Sequence, residues 1–242
     1  MTATIHALPP SHPCMTVQKA FELKGVPFER VEMDMSNHGP GMEEIYGSGN
    51  ATVPGVVFDD GEKVHGSTAI LAALEARSPE PSLYPEPIAE RVREAEAWGD
   101  GELQDLGRRL PWAALQFRPE QLAIILGGEP LDGPGTDYAM RYVRAAWKYH
   151  GITAERLATD LAGLSALLDQ ADEYCKDGIV GAAHATAADL QIGATLHVLD
   201  AVGDLRPLLD GRRCAEAARG LFGTRDRLIP AGAYPAGWVP AV

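Results

Sequence analysis

Cysteine is scarce: Cys14, Cys175 and Cys214 are the only three in 242 residues. They lie far apart, make an odd number and form no C-x-x-C pair, so neither a disulfide framework nor a zinc site is expected and the thiols are expected to be reduced. Basic residues are short as well, with 21 Lys and Arg against 34 Asp and Glu and a formal net charge of −13. That balance leaves no basic stripe for phosphates and argues against nucleic acid or an anionic membrane as partner. No apolar run approaches the length that crosses a bilayer, and Met-Thr-Ala-Thr-Ile-His at the start lacks the basic-then-apolar pattern of a leader. A cytoplasmic protein is the expectation. The histidines have no metal-ligand spacing, H-E-x-x-H is missing, and so is a glycine-rich phosphate loop, so no metal or nucleotide is implied. Internal repeats and low-complexity segments are missing too.

What remains is an ordinary globular composition, 45% hydrophobic and 23% charged, long enough for two modest domains. Thr4 to Leu8 is a weak strand closed by Pro9-Pro10. An amphipathic helix follows from Pro13 to Lys24-Gly25, with Cys14, Val17 and Phe21 on one face. Val26 to Met33 reads as a second strand, parallel to the first because a helix crosses between them. Residues 36 to 49 form a loop with a short helix at Met42 to Tyr46. Beyond Pro79, Pro-Glu-Pro-Ser-Leu-Tyr-Pro-Glu-Pro supports neither a helix nor a central strand. Residues 1–78 therefore read as an α/β domain of order βαβ-α-ββα, 79–87 as a linker, and 88–242 as an all-helical domain with an irregular tail. Its helices are expected at Ile88 to Phe117 with a break at Pro111, Thr136 to Tyr149, Thr153 to Tyr174, Thr186 to Val202, and Gly211 to Phe222. Pro119 to Pro134 is ambiguous, and Pro230 to Val242 is expected on the surface, pinned by Tyr234 or Trp238.

The organising stretch runs from Thr52 to Ile70. Val56-Val57-Phe58 and Lys63-Val64-His65 flank Asp59-Asp60-Gly61 as a hairpin, and a helix opens at Ser67. Pro54 sits directly before the first of these strands, and a cis Val53–Pro54 bond would turn the Val53 N–H and C=O away from the sheet, free to pair with a peptide-like ligand. Ser67 is expected to cap the helix, beside unpaired amides that attract an anion.

Val-Pro, a hairpin and Ser-x-Ala-Ile in this order resemble the thioredoxin-like half of the glutathione transferases. The resemblance implies that Val53, ahead of Pro54, pairs with the cysteinyl backbone of glutathione, and that Ser67 binds its γ-glutamyl carboxylate. Gly66 departs from the pattern, since the family usually carries Glu or Gln there, and one polar contact to the ligand is missing. Ser11-His12-Pro13-Cys14, with the helix that runs to Lys24-Gly25-Val26-Pro27-Phe28-Glu29, is similar to the theta-type pattern, in which a serine binds the glutathione sulfur. Ser11 takes that position, with His12 and His38 as further ligand contacts. A hydroxyl donor at the positive end of a helix favours thiolate over thiol, and the thiolate can then attack an electrophilic carbon without a protein base. Thr186-Ala-Ala-Asp189 is a capping box, similar to the cap that opens the core helix of the family's second domain. Arg108, Arg109, Trp98 and Trp112 fall on the helix that in the family flanks an electrophile pocket and a dimer contact. A thioredoxin-like domain followed by an all-helical one, glutathione as co-substrate, an electrophilic small molecule, detoxification and a homodimer are what the resemblance implies.

Each residue also has a plainer role. Ser11 can be only a helix cap, Cys14 a core residue, His12 and His38 loop residues, and Arg108 and Arg109 solvated charges. Two other functions stay open. Cys14 could form a mixed disulfide in a thiol-disulfide oxidoreductase, or Gly66 could mark a fold that serves as a binding scaffold or uses a different thiol.

Overall fold

The computed structural model describes every residue except Pro10, Gly127, 226–228 and 241–242. Pro10, expected to close the first strand, and the end of the expected tail thus lie outside the described residues.

Strand β1 (Ala3–Ala7) buries Ala3, Ile5 and Ala7 on alternate positions, the mark of a strand with one face on a core. It pairs in parallel with β2 (Phe28–Glu32) across helix α1 (His12–Leu23), whose Cys14, Val17, Ala20 and Phe21 are buried. Helix α2 (His38–Tyr46) starts four residues earlier than expected, just after Asn37. The hairpin β3 (Gly55–Phe58) and β4 (Lys63–His65) completes a sheet of order β2-β1-β3-β4, with the last two pairings antiparallel. Gly55 is required here. A Cβ on it would lie 2.3 Å from the Tyr46 ring, whose hydroxyl meets His6 Nδ1 at 2.7 Å.

Helix α3 (Ser67–Arg77) closes this unit. Its capping residue is Gly66, at φ 89°, so the expectation that Ser67 caps the helix is corrected. A left-handed turn that only glycine takes easily carries the chain out of β4, and Ser67 becomes the first helical residue. Residues 79–88 are irregular but packed: Leu83 and Tyr84 are buried, and the Leu83 carbonyl accepts from the Ala187 amide at 2.9 Å.

Only helical structure and one isolated bridge follow among the described residues. Helix α4 (Ala89–Trp98) runs through a π-helical turn (Gly99–Leu103) into α5 (Gln104–Phe117). The expected break at Pro111 does not occur. Proline at 111 forfeits only the bond to the Gly107 carbonyl, and Pro111 is buried in an α5 that packs on α9 and runs on unbroken. A 3-10 turn (Pro119–Gln121) and α6 (Leu122–Ile125) resolve the ambiguous segment. Next come α7 (Gly133–Tyr149), α8 (Ala154–Lys176), α9 (Ala187–Leu199), α10 (Arg206–Leu209) and α11 (Arg213–Phe222). Every residue of α9 except His197 is buried, with α1, α4, α5 and α11 packed around it. The Thr16 hydroxyl bonds both His12 and Leu190 carbonyls at 3.2 Å, which ties α1 to α9. Tyr234, whose amide bonds Asp204 at 3.0 Å, pins the tail as expected, and Trp238 lies edge-on to Phe117.

Candidate functional site

A cleft of about 820 Å³ opens between the sheet domain and the helical domain. Ser11, His12 and Val53 line it from the sheet side with His38 and its neighbours, and α5 and α7 line it from the other. Its size suits a small molecule or a short peptide. A shallower hollow of about 390 Å³, bounded by Thr2–Thr4, Pro27–Glu29 and Val57–Asp59, touches none of the expected site residues.

Ser11 is the N-cap of α1, and its Oγ accepts from the Cys14 amide at 3.4 Å. Apart from a contact with the neighbouring Cys14 sulfur, a weak acceptor, its hydroxyl proton is committed to no acceptor among the described residues. The structural role therefore uses a lone pair and leaves the donor without a strong partner, at the end of the helix where partial positive charge gathers. Val53 lines the same cleft. The Val53–Pro54 bond is cis, and neither the Val53 N–H nor its C=O has a hydrogen-bond partner among the described residues. Pro54 itself is buried, away from the cleft, and its carbonyl accepts from the Gly66 amide at 3.0 Å.

His12 is 5% exposed with Nε2 unpartnered, and its pKa falls to about 3 because burial and then the nearby Arg108 disfavour the cation. It is a neutral ring at the cleft wall. His38 opens α2 with Nδ1 buried and unpartnered. Cys14 points away from the cleft into the core, 1% exposed, and burial pushes its thiol up to about 11. Such a thiol is a packing residue at neutral pH.

Ser67 stands apart from the other expected residues. It is 5% exposed and does not line the cleft. Its hydroxyl lies 3.5 Å from Asp100 Oδ1 and 3.4 Å from Gln191 Nε2, within a polar seam where Gln191 Nε2 also donates to Asp100 at 2.7 Å. Asp100 sits in the π-helical turn. Gly99 beside it is packed so closely that a Cβ would meet Ile192 at 2.9 Å. Turns of this kind recur at functional sites.

On the helical side Trp112 lines the cleft, and its carbonyl accepts from the Trp147 indole at 2.8 Å. Trp98 does not line it and packs on Tyr174. Arg109 differs from the solvated charge of its plainer reading: its side chain is 7% exposed and forks onto Asp160 at 2.6 and 2.9 Å. Nothing in the sequence singled out Asp105, Tyr142, Tyr149 or Arg156. The one usable sign was spacing, since Tyr142 and Tyr149 are seven residues apart and Asp105 precedes Arg108 by three, each pair on one helical face.

Residues 5–82 match the family described as glutathione S-transferase, N-terminal domain. Among solved structures, a glutathione S-transferase from Rhodospirillum rubrum is 22% identical, with 93% of this chain and 89% of that one covered and a TM-score of 0.56. One from Sinorhizobium meliloti is 15% identical, covers 98% and 97%, and has a TM-score of 0.60. One from Methylobacterium radiotolerans, solved in complex with glutathione sulfonate, is 20% identical over 91% and 88%, with a TM-score of 0.52. No curated protein matches the chain in sequence. Among the described residues, no helix is long and apolar enough to cross a membrane and no cluster of His, Cys, Asp and Glu could hold a metal ion. Residues 5–82 thus carry the glutathione S-transferase N-terminal domain, and over its whole length the chain has the fold of the solved glutathione S-transferases.

Proposed function

We propose that the protein joins a low-molecular-weight thiol, glutathione first, to an electrophilic small molecule held in the cleft. The observation that carries this reading is that one cleft is lined both by a hydroxyl held by no stronger acceptor than the Cys14 sulfur, Ser11, and by a main chain without partners on either side among the described residues, Val53. The thiol gives its proton to water, and the Ser11 hydroxyl donates to the resulting thiolate. The S–C bond forms as the leaving group departs with its electron pair. Val53 pairs with the cysteinyl amide and carbonyl of the thiol peptide, in the manner of an added strand. Its cis peptide with Pro54 accompanies this exposure.

Ser67 enters through its amide, which with that of Thr68 has no partner among the described residues and opens α3. The γ-glutamyl end of glutathione is a zwitterion, and this helix terminus, outside the lining of the cleft, receives its carboxylate where the peptide extends past that lining, with Asp100, beside the Ser67 hydroxyl, for its ammonium. This pairing offsets the contact that Gly66 cannot make. His12 and His38 flank the thiol as neutral or unpartnered rings. A cytoplasmic setting, a homodimer and a role in detoxification complete the proposal.

The burial of Cys14 weighs against the thiol-disulfide alternative. Calorimetric titration with glutathione, followed by turnover of an activated aryl chloride, is the test. Saturable heat and thiol-dependent chloride release are expected. No heat up to millimolar glutathione would leave the scaffold reading or another thiol.

A further inference from the structure

The cleft carries a charge that the rest of the chain does not. Acids outnumber bases by 34 to 21 over the whole sequence, yet among the described residues the cleft is lined by Arg108, Arg109, Arg156 and Arg225 against the single carboxylate of Asp105. The imbalance is concentrated at one end. Asp105 is shared by three guanidinium groups, Arg109 at 2.8 Å, Arg108 at 3.3 Å and Arg156 at 3.9 Å. Arg109 is neutralised besides by its fork onto Asp160. Arg108 and Arg156 are left with one carboxylate that already serves a better partner, and Arg108 finds its second bond on a neutral group, Gln104 Oε1 at 2.8 Å. The rings nearest Arg108, His12 and His150, are neutral, so neither of them competes for an anion as a cation, and neither offsets the arginines.

A dielectric wall with under-neutralised guanidinium groups at its lip focuses a positive potential into the cleft. Guanidinium forks hold carboxylates and sulfonates in two parallel bonds. The apolar side of the same space, from Trp112, Leu115 and Tyr142, suits a ring or an alkyl body. We infer that the second substrate is a small organic acid, an electrophile bearing a carboxylate or sulfonate, and that Arg108 with Arg156 is the receptor for its anionic group. This inference rests on the reading of the cleft as a transferase site.

The test uses a chlorodinitrobenzoate, its sulfonate counterpart and the uncharged methyl ester of the first. Wild type is expected to favour the acids over the ester about tenfold in kcat/KM, and Arg108→Gln to erase that preference while Arg108→Lys keeps part of it. The KM for glutathione is expected not to move. An acid-to-ester ratio that is the same in wild type and Arg108→Gln overturns the inference. So does a rise in the glutathione KM in place of the acid's, because the arginine would then serve the thiol peptide. Quenching of Trp112 fluorescence by acid and ester without any thiol, with Trp112→Phe to identify the signal, reads the receptor alone. Acid-selective quenching that Arg108→Gln removes, in a protein that turns over nothing, would sustain the receptor and sink the transferase reading; quenching that does not distinguish acid from ester would sink the receptor.

Discussion

Two helices of this protein begin with the same chemistry and end up with different work. Ser11 opens α1 and Thr186 opens α9, each with its hydroxyl oxygen accepting from the amide three residues on, at 3.4 and 3.3 Å. At α9 the cap is saturated. The Thr186 hydroxyl donates to Asp189 Oδ2 at 2.9 Å, and Asp189 accepts in return from the Thr186 amide at 2.8 Å and the Gly181 amide at 2.6 Å, all under a surface that leaves Thr186 1% exposed. At α1 the acceptor is used, the donor meets nothing stronger among the described residues than the Cys14 sulfur, and the cap faces a cleft. One residue type in one local motif is structure where every bond is made, and a candidate for chemistry where one is left over.

The largest expected effect breaks the saturated cap. Asp189→Ala strips the buried Thr186 amide and the Gly181 amide of their shared carboxylate and leaves the Thr186 hydroxyl only the Ile179 carbonyl at 3.2 Å, and should cost about 3 kcal/mol, which for a chain of this size lowers Tm by roughly 10 °C. Thermal melting followed by circular dichroism checks this, and a variant that melts with the parent would mean that water or a repacked loop satisfies the amides. Ser11→Ala should do the reverse. Its stability cost is expected to stay under about 1 kcal/mol. Its kcat/KM for thiol addition should fall about a hundredfold, because the donor to the developing thiolate is gone. If instead Ser11→Ala melts early and turns over normally, the two caps are alike after all and the Ser11 hydroxyl is only a cap.

A third buried group sharpens the contrast. Glu96 is 2% exposed, like Asp189 nearly closed off, but among the described residues its one donor is the Tyr84 hydroxyl, at 2.9 and 3.0 Å. Burial dominates, and its pKa is pushed up to about 7. An unfolded glutamate titrates near 4.3, so over the interval between these values the folded protein holds a proton that the unfolded chain has lost. The stabilisation is complete below the unfolded value and is lost as pH rises through 7. Glu96→Gln cannot titrate. Relative to the parent it should therefore gain on the order of 2 kcal/mol between about pH 5 and pH 8. Denaturant unfolding of both proteins at the two pH values gives the difference, and a variant whose offset from the parent is the same at both would show that Glu96 is not protonated in the fold.

Much of this was legible in the sequence because it is local. Periodicity, turn residues and caps placed the strands and most of the helices, and Thr186-x-x-Asp189 announced a buried helix start from four residues. Failures came where a distant partner decides. Pro111 was expected to break a helix, but it costs only the bond to the Gly107 carbonyl, and packing against α9, far along the chain, carries α5 through it. The irregularity fell instead at the π-helical turn, where Gly99 meets Ile192 of α9. Ser67 was expected to cap α3 because serine so often does, yet the chain leaves β4 through a left-handed Gly66 and turns the hydroxyl into the seam with Asp100 and Gln191. Arg108 was visible as a residue but not as a wall of the cleft. Its facing depends on how α5 lies against α7 and α8, which no single helix encodes.

The smallest expected effect lies next to Ser11. Cys14 shares the first turn of α1, and a thiol there could profit from the same helix terminus, were it not 1% exposed with its pKa pushed up to about 11. Compared with an ordinary cysteine, about a hundredfold less thiolate is present at neutral pH, and little solvent reaches what there is. Iodoacetamide should therefore label Cys14 on the order of a hundred times more slowly than a small free thiol, with peptide mapping to separate it from the half-exposed Cys175. Cys14→Ala is expected to keep turnover within about twofold and to lose roughly 1 kcal/mol of packing. Fast labelling together with a dead alanine variant would move the chemistry of this turn from a borrowed sulfur to the protein's own, and Ser11 would then be a cap of the same kind as Thr186.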